Sequence, residues 1–128
     1  MPEQRQTSAH KIPADRKPAG ASSRYLRQRL TSILLLPLAL IAIGLGVMVL
    51  GADYLTVRSV LRHPVVGIVI FAFIALAAYH MTLGIIEIVE DYVHRPSWQR
   101  AAVIAAIGYA ALVVAGSGYA ILRLSFGS

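Results

Sequence analysis

Hydrophobic and polar positions divide the chain into three long blocks. Residues 30–50, 65–86 and 101–122 contain no Asp, Glu, Lys or Arg, and each block is 21 or 22 residues long. A helix needs roughly 20 apolar residues to cross a ~30 Å hydrocarbon core. The blocks are continuously apolar and do not alternate with period two, which argues against a lipid-facing barrel. The pattern therefore predicts an all-α integral membrane protein with spans over approximately 30–50, 65–93 and 101–123. The second span extends past its apolar block because nothing breaks a helix before Pro96. Pro37 lies inside the first span, where membrane helices tolerate it if neighbours satisfy the freed carbonyl. Residues 1–22 are polar, without periodicity, and read as a flexible basic tail preceding a three-helix anchor domain over 23–128. The stretch SRYLRQRL (23–30) is expected to begin a helix at the membrane surface. Residues 51–64 and 94–100 are expected to be loops, with Trp98 as an interfacial anchor.

Composition sharpens this picture. Of the 128 residues, 57% are hydrophobic and 14% charged, the mean hydropathy is +0.66, and there is no cysteine. That excludes structural disulfides and cysteine-ligated iron–sulfur clusters within the chain. The formal charge of +6 is concentrated ahead of the first span, at Arg5, Lys11, Arg16, Lys17, Arg24, Arg27 and Arg29. The block leads straight into a span without a nucleic-acid motif or interleaved aromatics. It reads as a topological signal and not as a nucleic-acid surface. The positive-inside rule then places the N-terminus and the 94–100 loop on the cytoplasmic or matrix side. The late start and length of the first apolar run argue against a cleaved signal peptide.

Candidate chemistry lies on the second span. His80, Gly84, Glu87 and Asp91 share a narrow angular band of a 3.6-residue helix, with His80 and Asp91 about three turns, roughly 16 Å, apart. Gly84 and Ala77 leave the backbone beside His80 bare, so a bulky flat group could lie against it. Ionisable residues inside a membrane are costly and mark functional sites by default. These residues alone leave three readings open. His80 ligates a cofactor, or His80, Glu87 and Asp91 relay protons or cations, or His80 bridges helices structurally. On the third span, Ala102, Ala106 and Ala110 form one small-residue row, Ala111 and Ala115 another, and Gly116 and Ala120 continue the spacing. Such rows predict close helix packing and partner helices.

The stretch HMTLGIIEIVEDY (80–92) fits the pattern H-x-x-x-G-x-x-x-x-x-x-D-Y at every defined position, and RQRLTS (27–32) is similar to an R-x-T-[AS] element. With three spans behind a basic flank, the chain resembles the small hydrophobic membrane-anchor subunit of succinate dehydrogenase, respiratory complex II. The resemblance covers about 100 residues. It implies a larger haem-containing helical bundle shared with a second anchor subunit, in a bacterial inner or mitochondrial inner membrane. It implies haem b and ubiquinone as cofactors. His80 would be a haem axial ligand, Arg29 would lie near a propionate, and Asp91 and Tyr92 would help form the quinone site. The aromatic that the family carries shortly before the arginine is represented only by Tyr25. The partners implied are the second haem-ligating membrane anchor, the iron–sulfur subunit and the flavoprotein subunit. The chain would not be a catalyst by itself. His10, His63 and His94 cannot oppose His80 across a porphyrin, so a second axial ligand would come from another chain or from a two-fold copy of this one.

Overall fold

The computed structural model describes residues 19–127. Among these, four helices follow one another: α1 (Ala19–Val49), α2 (Tyr54–Arg62), α3 (Pro64–Tyr92) and α4 (Pro96–Phe126). Three of them, over Ser23–Val49, Pro64–Tyr92 and Pro96–Phe126, are long and apolar enough to cross a membrane. Three spans are thus present as expected; the first starts earlier, the second keeps its length, and the third extends at both ends. Pro64 and Pro96 both sit in a first helical turn, where the missing N–H leaves no intrahelical bond unmade. The 94–100 loop consequently shrinks to a tight connection, 93–95.

Two expectations need correction. The stretch 23–30 forms no separate surface helix. It belongs to α1, which starts at Ala19 and runs unbroken through Pro37 into the span. The helix also takes in the end of the expected tail, while residues 1–18 lie outside the described residues. The second correction concerns 51–64, which holds the nine-residue helix α2. Gly51, at φ +77°, turns the chain out of α1 through a left-handed conformation that glycine adopts without steric cost. Asp53 then precedes α2, and Thr56 donates its hydroxyl to the Asp53 carboxylate. That bond holds the Asp53 carboxyl below its usual range.

Helix α3 is the middle of the bundle and packs against both α1 and α4, while α2 folds onto α3 and α4. The less exposed positions of α1 include 24, 28, 31, 35, 38, 42, 45 and 49, alternating four and three residues apart, with Ala39 beside them. This is the heptad seam of knobs-into-holes packing. Its first three members are Arg24, Gln28 and Thr31, and the rest are Leu35, Leu38, Ala42, Leu45 and Val49. Between α3 and α4, the small-residue expectation separates into two faces. Ala106 is buried and Ala102 and Ala110 half-buried, whereas Ala111, Ala115, Gly116 and Ala120 are exposed. Near the other end of the α3–α4 pair, Phe71 packs on Gly118 and Ile121 on Gly67. A Cβ at either glycine would lie 3.1 Å from the facing side chain.

Candidate functional site

The polar end of the α1 seam meets the polar stripe of α3 in antiparallel register. Arg24 pairs with Glu90 in an ion pair. One turn further along α1, the Gln28 amide nitrogen, turned toward α3, donates to both Glu87 carboxylate oxygens at 2.6 and 3.0 Å. The third rung joins Thr31 Oγ1 to His80 Nδ1 at 2.9 Å. Thr31 is the one buried polar side chain among the described residues, at 7% exposure. Its oxygen also lies 2.9 Å from the carbonyls of Arg27 and Gln28. His80 is only half-buried, and its Nε2 has no hydrogen-bond partner among the described residues.

Beside these rungs opens a cleft of about 400 Å³ lined by Tyr25, Gln28, Arg29, Ser32, His80 and Glu87. Two expected site residues, Arg29 and His80, therefore border one space although 51 positions separate them. Arg29 is held by Tyr25, one turn earlier. Its Nη1 donates to the phenol oxygen at 2.6 Å, and the guanidinium carbon lies 5.6 Å from the ring centroid. Tyr25 thus supplies the aromatic partner of this arginine. Ser32 bonds back to the Arg29 carbonyl at 2.8 Å and fills the remaining lip. The backbone at Gly84 is open: a constructed Cβ there would meet only the movable end of the Gln28 amide, at 4.0 Å.

Asp91 and Tyr92 do not join this cleft. Both are exposed at the end of α3, Tyr92 at 78%, and neither has a hydrogen-bond or ion-pair partner among the described residues. The sequence alone assigns no role to Thr31 or Gln28. Their signal is present in the 24–28–31 spacing, but it means something only once paired with 90, 87 and 80 across the seam.

The side chains on one side of this arrangement have the donor chemistry that a haem would need. His80 presents an imidazole with one nitrogen engaged and the other free, at a cleft that also contains a guanidinium suited to a carboxylate. No three His, Asp or Glu side chains cluster among the described residues to hold a metal. His63 and His94, at the two ends of α3, lie roughly 25 and 21 Å along the axis from His80. Among the described residues, His80 is therefore the one histidine at its depth.

No curated protein and no solved structure gives a significant match to the chain. A family model does match, over residues 1–115, and that range includes the whole α1–α3 seam and the cleft. The chain belongs to the succinate dehydrogenase/fumarate reductase transmembrane subunit family.

Proposed function

We propose that this chain is a membrane anchor of a succinate:quinone oxidoreductase, contributing a b-haem ligand and part of a ubiquinone-reduction site. The observation that carries the reading is the convergence of His80 and Arg29 on one cleft, with His80 Nε2 unengaged. His80 would ligate the iron, and Arg29, braced by Tyr25, would face a propionate. When bound, haem b supplies one-electron storage between the partner's cofactors and the quinone.

At the end of α3, Tyr92 would donate its hydroxyl to a quinone carbonyl oxygen. Asp91 would orient it and take up protons from water. Their exposure in the lone chain suits a site completed by other subunits. The partners that go with this reading are a second anchor, an iron–sulfur subunit and a flavoprotein; among the described residues no other histidine lies at the depth of His80, so the second anchor would supply the opposite haem ligand. The membrane is a bacterial or mitochondrial inner membrane, with the N-terminus on the cytoplasmic or matrix side. Among the described residues, Arg24, Arg27, Arg29, Arg95 and Arg100 lie at that end of the bundle, against Arg58, Arg62 and Arg123 at the other.

The test is the reduced-minus-oxidised optical spectrum of the purified complex, wild type beside His80→Ala. A b-type α-band that is lost or displaced in the variant upholds the ligand assignment. An α-band absent from the wild type removes it, and leaves a carboxylate relay or a purely structural bundle.

A further inference from the structure

The Thr31 hydroxyl has more partners than protons. It carries one donor and two acceptor lone pairs, yet Oγ1 lies 2.9 Å from the Arg27 carbonyl, the Gln28 carbonyl and His80 Nδ1. A single proton shared between the two carbonyls of its own helix is a common three-centre arrangement. It leaves an oxygen lone pair facing His80, so Nδ1 must bring the hydrogen of the third bond. In a neutral imidazole the other nitrogen, Nε2, then keeps its lone pair.

We infer that Thr31 is a positioning residue for His80. By accepting the Nδ1–H bond it selects the tautomer whose Nε2 is bare and fixes the plane of the ring, so the imidazole is preset as an Nε2 ligand before iron arrives. The inference rests on the haem reading above and adds to it a residue on a different helix. The opposite polarity, with Thr31 donating to Nδ1, puts the imidazole proton on Nε2. The ring then has no lone pair to offer the cleft, and two carbonyl contacts at 2.9 Å have no hydrogen between them. Burial at 7% keeps water from replacing the hydroxyl. The Gln28–Glu87 and Arg24–Glu90 rungs hold the two helices in the register that brings Thr31 to His80. Outer-shell partners of this kind orient metal-ligating histidines, and their loss typically costs about 10–100-fold in metal affinity.

The experiment uses the whole purified complex with Thr31→Val, which keeps the shape and removes the hydroxyl, and Thr31→Ser, which keeps the hydroxyl. Haem retained per complex on serial dilution, the low-spin ferric electron paramagnetic resonance signal and the haem midpoint potential are read for each. Thr31→Val is expected to weaken haem retention by roughly 10–100-fold and to displace the resonance and potential of the haem that remains. Thr31→Ser is expected to restore all three. Wild-type retention, resonance and potential in Thr31→Val would overturn the inference. Should Thr31→Val fail to assemble, nitrogen NMR of the histidine-labelled wild-type complex after haem extraction reads the tautomer directly. A proton on His80 Nδ1 upholds the inference, and a proton on Nε2 overturns it. A wild type without haem, or a His80→Ala complex with unaltered haem, would defeat the ligand reading itself, and this inference with it.

Discussion

Tyr92 carries the clearest consequence of the quinone assignment. Its hydroxyl is unpartnered among the described residues, so Tyr92→Phe removes nothing the chain itself relies on. A hydrogen bond to a neutral carbonyl contributes about 1 kcal/mol net, or somewhat under tenfold in rate or affinity. Quinone reduction by Tyr92→Phe should therefore fall about fivefold, while electron delivery from succinate to a water-soluble artificial acceptor stays at the wild-type rate. Equal quinone kinetics in the two proteins would remove Tyr92 from the site. The rungs of the seam act on another scale. Arg24–Glu90 is a partly exposed ion pair, and such pairs contribute about 0–1 kcal/mol. Hydrogen bonds between membrane helices average about 0.6 kcal/mol. Sums this small do little for stability, so the ladder's main effect is to choose one register of α1 on α3.

Between helices, the glycines separate two kinds of contact. Gly67 is buried, and a Cβ there would press to 3.1 Å on Ile121. Gly84 has open space out to 4.0 Å, toward the movable end of Gln28. Replacing glycine with alanine inside a helix is favourable by up to about 1 kcal/mol when nothing collides. Gly84→Ala should leave the thermal stability of the assembled complex unchanged or raise it slightly. Gly67→Leu must part α3 from α4 and should lower stability by about 1–3 kcal/mol, as overpacking does. A thermal unfolding series in detergent checks both, and an unharmed Gly67→Leu would mean that this end of the α3–α4 pair is loosely packed.

Taken whole, the molecule has little interior. Among the described residues only Thr31, Gly67, Ala78, Leu83, Val89 and Ala106 are buried, while Leu36, Met48, Ile104 and Leu112 are more than 60% exposed. Apolar exposure on this scale fits a bundle whose surroundings are lipid tails and other helices. Orientation across the membrane is open to a direct test because the chain has no cysteine. Single cysteines at exposed Ser59, on α2, and exposed Ser97, in the first turn of α4, would lie on opposite sides. In intact bacterial cells, or in mitoplasts for a mitochondrial protein, a membrane-impermeant thiol reagent should modify Ser59→Cys and spare Ser97→Cys. The reverse pattern would invert the topology drawn from the arginine distribution.

The three spans were legible without coordinates because insertion depends on how many consecutive apolar residues a segment offers, a local property of the chain. The order of ends follows, since three crossings joined by short connections must alternate. The 80–92 motif likewise lies within one helix, so its residues share a stripe whatever surrounds them. What the tertiary structure decided depends on how two helices rotate and slide against each other. Thr31 and His80 are 49 residues apart, and no single-helix periodicity says that one faces the other. The same holds for Gln28 with Glu87 and for Arg29 entering the His80 cleft while Asp91 and Tyr92 stay outside it. Helix α2 is not legible in the sequence because its nine residues mix Arg58, Ser59 and Arg62 with apolar Leu55, Val57, Val60 and Leu61, a pattern too short to separate from a loop until it packs on α3 and α4. Span and stripe are properties of one segment, whereas the partner of each polar side chain is a property of the packed pair.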